Sequence, residues 1–543
     1  MAKITKKETS IYEDVDSEIE VDDISEDIDI DDVLTDDLLD SSDDDFQINN
    51  KKKKMTKKKT ITKKKASVKR KSSNTTKKGT TRKTIQTKLN PTKTIKLPPE
   101  PKLHKWNKER MKNLAEKYPD NYWKYHADAG YEMIDAINED NQLESIPCNM
   151  NDQGPITSMS LSEDGSMLAT YSNIGAVKIW DIENDFSLVR KLRDADESHI
   201  DEFYCGTFIA DSELIAVGGK LKDRYRWSEE DEDNHILSCA IKIFNVTDSK
   251  VVAKLSGHEE EILCIKKVKF LDENYLISTS QDGYIFKWHM SSDWTTLISS
   301  NKMVDEQTCM AFTVSFVPNT GNKYFIAATD EHLRLYDFEE GVLLQTFSDL
   351  YSSYCDCGKF VKWLDESIYF EQQQQQKDDI MDVEETTQEK YTWFISRGAE
   401  MCDVSEGVSS KPNTCTLHKL IYPTTDGGEF RLEEVKRYQN EDYHSNSWLV
   451  KITSNGRYLL APTIYGQIFV FNMLTGQVTA ILKDHLDMEV RDVIFHPYRP
   501  LIFSSGDDGC VKVYTYKSDI DKQLESDLGI GMAEVKIDDE ERQ

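Results

Sequence analysis

The chain has 543 residues, of which 38% are hydrophobic and 31% charged, and its formal net charge is −30. A chain of this size can bury a large core and still carry long unfolded segments, and so strong a negative charge argues against uniform binding to nucleic acid. No apolar run reaches the ~18 residues that cross a membrane, and no signal-peptide core is present. The ten cysteines include no CxxC pair, which predicts free thiols in a reducing, intracellular setting and no metal site.

The first hundred residues form two oppositely charged segments. Residues 1–50 alternate carboxylates with single Ile, Val or Leu side chains, whereas residues 51–101 are rich in lysine. Neither segment can bury enough apolar surface to offset the entropy cost of ordering, so we predict two disordered tails.

The lysine-rich tail predicts nuclear import. It also suggests non-specific contact with nucleic acid, because each lysine that neutralises a phosphate releases a counterion. No aromatic residues interleave, so base stacking is not expected. The acidic segment could equally contact histones or other basic proteins. The residues assigned to the basic arm are Lys51, Lys52, Lys53, Lys54, Lys63, Lys64, Lys65, Lys69, Arg70 and Lys71.

Residues 102–140 differ from these tails in composition. Met111, Leu114 and Tyr118 follow helical spacing, and Trp106 and Trp123 add aromatic surface, which predicts a short helical segment. It would pack on the side or base of the following domain or, alternatively, bind a partner separately. At the other end of the chain, residues 518–543 form an acidic tail.

A repeated unit fills the region between these segments. Residues 257–288 contain two alternating apolar runs, and an Asp-Gly turn at Asp282 and Gly283 leads into a third run that ends at Trp288. Similar turn-plus-strand endings recur every 43 to 48 residues where the repeats are regular, and they are GAVKIWD, CAIKIFN, DGYIFKW, DEHLRLYD, YGQIFVFN and DDGCVKVY. These residues and this period resemble the WD-repeat family of β-propellers, whose blades are four-stranded sheets of about 40–45 residues.

The resemblance implies an all-β domain, a single propeller of about seven blades over residues 141–517. Eight blades remain an alternative. We expect insertions near 221–237 and 371–390, the second of them disordered around 372–376 and 378–388. The last repeat supplies only about three strands, so a strand within 141–149 should complete its sheet and close the ring.

The third repeat fits the hydrogen-bonded tetrad of this family. By resemblance, its members would be His258, Ser280, Asp282 and Trp288. In the seventh repeat, Gly506 stands where we expect the serine and Tyr514 replaces the tryptophan. A catalytic reading of this Ser-His-Asp set is rejected, because the serine lies in a strand without a nucleophile elbow. We therefore predict no enzyme activity, no cofactor and no small-molecule substrate.

The function is expected on the propeller faces. The candidate partner-binding residues are Tyr204, Tyr354, Trp448 and Arg491, which lie on loops that lead into the innermost strands. We expect Arg491 to be exposed. The charged tail favours a protein-binding scaffold in a nuclear, chromatin-associated assembly, with histones or other basic proteins as partners. A ribosome-biogenesis factor is the main alternative. A substrate receptor of a cullin ubiquitin ligase is another, although no repeat carries the arginine that such receptors place two residues after Trp-Asp.

Overall fold

The structure, a computed structural model, describes residues 143–516 apart from residues 195, 197–200, 222–224, 229–232, 304–309, 331, 378–388, 405–406, 426 and 500. The predicted tails 1–50, 51–101 and 518–543 and the predicted helical segment 102–140 lie outside the described residues, as does the basic arm.

Seven four-stranded antiparallel sheets, the blades, follow one another along the described chain. Blade 1 contains β2 (Ile156–Leu161), β3 (Met167–Ser172), β4 (Ala176–Asp181) and β5 (Ser187–Leu192). Blade 2 contains β6 (Asp201–Ile209), β7 (Leu214–Leu221), β10 (Ile241–Asn245) and β11 (Val251–Leu255). Blade 3 contains β12 (Ile262–Phe270), β13 (Glu273–Ser280), β14 (Ile285–Met290) and β15 (Leu297–Met303).

The later blades repeat this meander. Blade 4 contains β16 (Ala311–Phe316), β17 (Tyr324–Thr329), β18 (Leu333–Asp337) and β19 (Val342–Phe347). Blade 5 contains β20 (Cys355–Val361), β21 (Tyr391–Gly398), β24 (Thr414–Ile421) and β25 (Arg431–Gln439). Blade 6 contains β26 (Thr453–Ser454), β27 (Tyr458–Pro462), β28 (Ile468–Asn472) and β29 (Val478–Leu482).

Blade 7 closes the ring with a strand from the other end of the chain. It contains β30 (Val490–Phe495), β31 (Leu501–Gly506) and β32 (Val511–Tyr516), and β1 (Leu143–Ile146) pairs antiparallel with β32. The predicted closing strand is confirmed. The fold is therefore the expected all-β propeller, with seven blades and no open sheet edge at the closure.

Polar contacts reinforce this closure between blades 7 and 1. The carboxylate Oδ2 of Asp492 accepts hydrogen bonds from the Ser158 hydroxyl at 3.1 Å and from the Met159 backbone N–H at 2.9 Å. The Tyr498 hydroxyl donates to the carbonyl of Glu163 at 3.1 Å.

The hydrophobic core lies between the blades. Alternate side chains of each strand point to opposite faces, so each sheet can pack against both neighbours. Ile243 and Trp288 share one buried cluster between blades 2 and 3, and Ile277 and Tyr336 share another between blades 3 and 4. The first strands of several neighbouring blades contact one another, which places them innermost.

Two insertions leave the regular meander. The predicted insertion in blade 2 contains a hairpin of β8 (Tyr225–Ser228) and β9 (Asp233–Ile236). In blade 5, α1 spans Glu366–Lys377, so the prediction of disorder for residues 372–376 is wrong. A second hairpin there, β22 (Met401–Val404) and β23 (Gly407–Ser410), was not predicted.

Candidate partner-binding face

One end of the propeller collects the candidate residues. Loops that lead into the first strand of each blade lie at this end, together with the turns between the second and third strands, and we call it the top face. Chain direction alternates from strand to strand, so these loops must share one end. Tyr204, Tyr354, Trp448 and Arg491 all lie at or next to these loops.

The structure brings the three predicted aromatic residues together. The Trp448 ring lies 6.4 Å from the Tyr204 ring and 6.2 Å from the Phe312 ring, centroid to centroid, both edge to face. Phe312 also lies 5.8 Å from Tyr354. We call these four residues the aromatic cluster. Tyr204 and Phe312 belong to blades 2 and 4, and Tyr354 and Trp448 lie in the loops before blades 5 and 6, so the four residues meet across the channel axis. Phe312 is buried and the other three are half-buried.

Arg491 is less exposed than predicted. Its guanidinium donates to both carboxylate oxygens of Asp507, at 2.8 and 2.9 Å, and lies 3.0 Å from Glu489. Only 25% of its side chain is exposed. Val490 and Val493 beside it are buried, and the arginine is held against two carboxylates rather than free in solvent. Burial raises the pKa of Glu489, although Arg491 acts in the opposite direction.

A buried ion pair fixes the loop that carries Trp448. Arg397 Nη1 lies 2.7 Å from Asp356 Oδ2, and neither side chain has exposed surface. The same guanidinium donates to three backbone carbonyls of the loop, those of Val450 at 2.9 Å, Ser447 at 2.9 Å, and Ser445. Arg397 thus spans the residues on both sides of Trp448. Burial raises the pKa of Asp356 to about 6 despite the arginine.

Sequence reasoning missed a second group of residues on the top face. Tyr465 is 53% exposed, Leu486 is 76% exposed and Met488 is 47% exposed. Tyr465 lies in the turn between β27 and β28, where a Cβ on Gly466 would meet the backbone of Asp487. The two loops that carry these three exposed apolar side chains therefore lie against each other, and we call the three residues the apolar patch. Leu486 has φ +49°, which L-residues rarely adopt, so the loop presents its side chain at a cost.

Arg491 connects the loop of the apolar patch with the loop that carries Trp448. Glu489 follows Met488 in sequence and pairs with Arg491, whose Nη1 lies 3.4 Å from the Ser447 hydroxyl beside Trp448. These polar contacts thus link the loop of the apolar patch to the loop that carries Trp448.

Exposed charges on the top face are mainly negative. Among the described residues, seven exposed carboxylates lie in its loops: Asp196, Glu259, Asp349, Glu441, Asp442, Asp484 and Asp487. The exposed basic residues of the same described loops are Arg193, Lys411 and Lys483.

The hydrogen-bonded tetrad of blade 3 uses a different serine from the one predicted. His258 Nδ1 lies 2.9 Å from Asp282 Oδ2, and its Nε2 lies 2.8 Å from the Ser278 hydroxyl. Trp288 Nε1 donates to the same hydroxyl at 2.8 Å. Ser280, the predicted member, instead accepts the backbone N–H of Asp282 at 3.2 Å. Burial alone would raise the pKa of Asp282, but bonds from His258 and two backbone N–H groups hold it below its usual value.

Related networks occur in other blades. In blade 7, His485 lies 3.0 Å from Asp508 and 2.7 Å from the Ser504 hydroxyl, so Ser504 rather than position 506 supplies the hydroxyl. In blade 1, Trp180 Nε1 donates to Thr170 at 3.1 Å.

Blade 5 replaces two members of the tetrad. The Ser396 hydroxyl bonds to the Tyr351 hydroxyl at 2.8 Å and to His418 Nε2 at 2.7 Å. Tyr351 thus stands in place of the histidine, and His418 in place of the tryptophan. Across blades 3, 5 and 7, the hydroxyl, imidazole and carboxylate groups of these networks are buried, and their hydrogen bonds stiffen the blades.

The described residues also lack the features of a metal centre and of a membrane span. No group of three or more His, Cys, Asp or Glu side chains there could hold a metal ion. None of its helices combines the length and apolar character that a membrane span needs.

The WD domain, G-beta repeat family model matches residues 249–289 and 476–515, and each match covers the last strand of one blade and three strands of the next, in blades 2 and 3 and in blades 6 and 7. The chain is also similar to the Denticleless protein homolog of Mus musculus, with 23% identity over 203 residues, covering 36% of this chain and 25% of that protein. The human Denticleless protein homolog is 22% identical over 197 residues, covering 35% of this chain and 24% of the relative. The chain thus spans about a quarter of the length of these curated relatives.

Proposed function

Because the chain is a WD-repeat β-propeller, we propose that it is a non-catalytic scaffold of a nuclear assembly that binds a basic segment of a partner protein on its top face. WD-repeat propellers generally bind protein partners. The observation that carries this proposal is the apolar patch of Tyr465, Leu486 and Met488, which is exposed and whose loop is linked through Arg491 to the loop that carries Trp448.

Exposure of these side chains in solvent is unfavourable, at roughly 25 cal/mol for each Å² of apolar surface that remains in water. Aromatic residues and methionine are enriched in protein interfaces, and a few such anchors supply most of the binding energy. The apolar patch provides anchors of this kind, and the rings of the aromatic cluster, which pack against one another, provide a rigid surface on the same face.

The charge of the top face favours a basic partner. Its exposed loops carry more carboxylates than basic groups, and complementary charge speeds association and selects against acidic partners. Aromatic ring faces also attract lysine and arginine. Within the protein itself, Lys220 Nζ lies 5.7 Å from the centroid of the Tyr204 ring.

The nuclear setting rests on the lysine-rich residues 51–101, whose composition suits nuclear import and a nucleic-acid-rich surrounding. Histone tails are basic segments of the required chemistry in that compartment. A ribosome-biogenesis factor is the rival assignment, because the same tail suits a nucleolar RNA assembly.

Binding of the purified full-length protein to fluorescent histone-tail peptides, measured by anisotropy at physiological salt, tests the partner class. Leu486→Ser should weaken binding at least tenfold, equivalent to about 1.4 kcal/mol. Leu271→Ser is the matched control, because Leu271 is also 76% exposed, has φ +50° and lies in the turn between β12 and β13 at the opposite end. Equal affinities for both variants would contradict recognition by the top face.

Affinity purification after nuclease treatment, with mass spectrometry, tests the setting. Histones or chromatin proteins retained by the wild type and lost from Leu486→Ser support the proposal. Pre-ribosomal proteins in their place favour the rival, and loss of all partners on removal of residues 1–100 would assign binding to the tail.

A further inference from the structure

The central channel contains a cavity of about 1360 Å³ lined by the first strands of all seven blades. Its lining includes turns at the end opposite the top face. At the top-face end it reaches Phe312 but none of Tyr204, Tyr354 and Trp448. The cavity therefore reaches the turns opposite the top face, whereas three of the four residues of the aromatic cluster lie outside its lining.

Three lysines line the middle of this cavity. Lys266 belongs to β12, Lys359 to β20, and Lys451 precedes β26. Lys266 lies opposite Ile277 and Lys359 lies opposite Ile395, which is the same register position in blades 3 and 5. The two ammonium groups therefore enter the channel at one level, from blades separated by a single blade.

Among the residues that the structure describes, one carboxylate lies near these lysines. Asp492 Oδ2 lies 3.7 Å from Lys451 Nζ and is already bonded to the Ser158 hydroxyl. Across the described part of the chain, the Lys266 and Lys359 side chains form no hydrogen bond and no ion pair.

Other lysines of the cavity have their own partners. Lys267 Nζ lies 2.6 Å from Glu163, and Lys269 Nζ lies 3.5 Å from Asp272. The middle of the channel therefore carries about two uncompensated positive charges, within a protein whose net charge is −30.

This arrangement is unfavourable without a ligand. Burial lowers the pKa of Lys359, and repulsion from Lys266 and Lys451 adds to it, whereas Cys357 and Asp492 act in the opposite direction. Lys359 is half-buried and Lys266 is exposed to the channel, so a ligand with negative charge would relieve mainly the repulsion between these like charges.

The lysines are also the main donors at this level. The Ser315 hydroxyl donates to the carbonyl of Gly358 at 2.8 Å, and the Thr207 hydroxyl donates to that of Phe208. Each lysine ammonium offers three N–H donors. An occupant therefore needs several acceptor oxygens and at least two negative charges, spaced to reach both blades.

We propose that the channel binds a small, multiply charged phosphate compound between Lys266 and Lys359, which enters from the end opposite the top face. The carboxylates at that mouth, such as Asp211, Glu213 and Asp293, are exposed, so salt screens their repulsion of an anionic ligand.

Calorimetric titration of the full-length protein with inorganic pyrophosphate and tripolyphosphate tests this site. Lys266→Gln with Lys359→Gln should weaken binding at least tenfold. Lys191→Gln with Lys250→Gln removes the same charge from exposed positions and should leave the affinity unchanged. Any binding to the basic arm is common to both double variants, so their difference reports the channel.

Thermal unfolding provides a second readout. Pyrophosphate should raise the Tm of the wild type and of the surface control, but not that of the channel variant. Without ligand, the channel variant should unfold no lower than the wild type, because repulsion is removed. Equal affinities for the two double variants, absence of binding by the wild type, or equally tight binding of citrate would each overturn the proposal.

Discussion

Replacement of Arg397 by methionine should strongly destabilise the propeller and release the loop that carries Trp448. The substitution keeps a long side chain but removes the charge that pairs with Asp356 at 2.7 Å, together with donors to three loop carbonyls. Loss of one partner of a buried ion pair costs about 3–5 kcal/mol, since the other charge stays buried and unpaired. We expect about 4 kcal/mol.

Urea unfolding followed by circular dichroism measures this loss. Arg431→Met is the matched control, because Arg431 is 56% exposed and pairs with Glu389, which is 40% exposed. Removal of that surface pair should cost about 0–1 kcal/mol. If Arg397→Met is too unstable to purify, Arg397→Lys retains the charge but not the planar fork, and it should show an intermediate loss.

The pH dependence of Arg397→Met checks the mechanism. The folded-state pKa of Asp356 is raised to about 6, above its ordinary value, and loss of the arginine should raise it further. Proton uptake by the folded state then stabilises the variant as the pH falls through that pKa. Arg397→Met should therefore recover part of its deficit at pH 5 relative to pH 8. A loss no larger than that of Arg431→Met, with no recovery in acid, would refute the reasoning.

Two further predictions concern the blade networks. Ser278→Ala should lower the free energy of unfolding, measured in urea, by about 1–3 kcal/mol, because it leaves the buried His258 and Trp288 nitrogens without their shared hydroxyl. Ser280→Ala should lower it by less than about 1 kcal/mol. The reverse order would contradict the observed tetrad. Burial lowers the pKa of His418 to about 4. The unfolded chain therefore binds a proton that the folded chain does not, and His418 should remove about 3 kcal/mol of stability as the pH falls from 6.5 to 4. Between pH 6.5 and 4, the free energy of unfolding should fall by about 3 kcal/mol less in His418→Gln than in the wild type. The same pH dependence in both proteins would count against the lowered pKa of His418.

The repeat period predicted the ring well because each blade is a local unit. Alternating strands and an Asp-Gly turn are encoded within about forty residues, and a last repeat that lacks one strand predicts closure by another segment. No such local signal identifies the Arg397–Asp356 pair. Its members lie 41 residues apart on different strands, and the sequence offers 98 acidic residues as possible partners.

The tetrad error has a simple geometric cause. Ser278 and Ser280 lie two residues apart on β13, so strand alternation places both on one face. Strand pairing distinguishes them, because Ser280 pairs with Ile262 at the strand end and Ser278 lies opposite Phe286. Periodicity without register cannot make this choice.

Composition misled the prediction for residues 372–376. A glutamine run suggested disorder, but glutamine is a good helix former, and the preceding turn of α1 has an apolar anchor. Tyr369 lies 4.7 Å from Trp363 and Phe370 lies 6.3 Å from Trp393, ring to ring. The apolar patch was not predicted because single apolar residues in a loop form no periodic pattern of hydrophobicity.

Closure by β1 also constrains how the protein is made. The partners of β1 lie about 370 residues further along the chain, so at ordinary rates of translation it waits roughly 20–70 s before β32 is synthesised. Until then six blades can assemble while the seventh is incomplete. At high local concentration, β32 of one newly made chain could accept β1 of another, and the product would be a strand-exchanged dimer with the same blades.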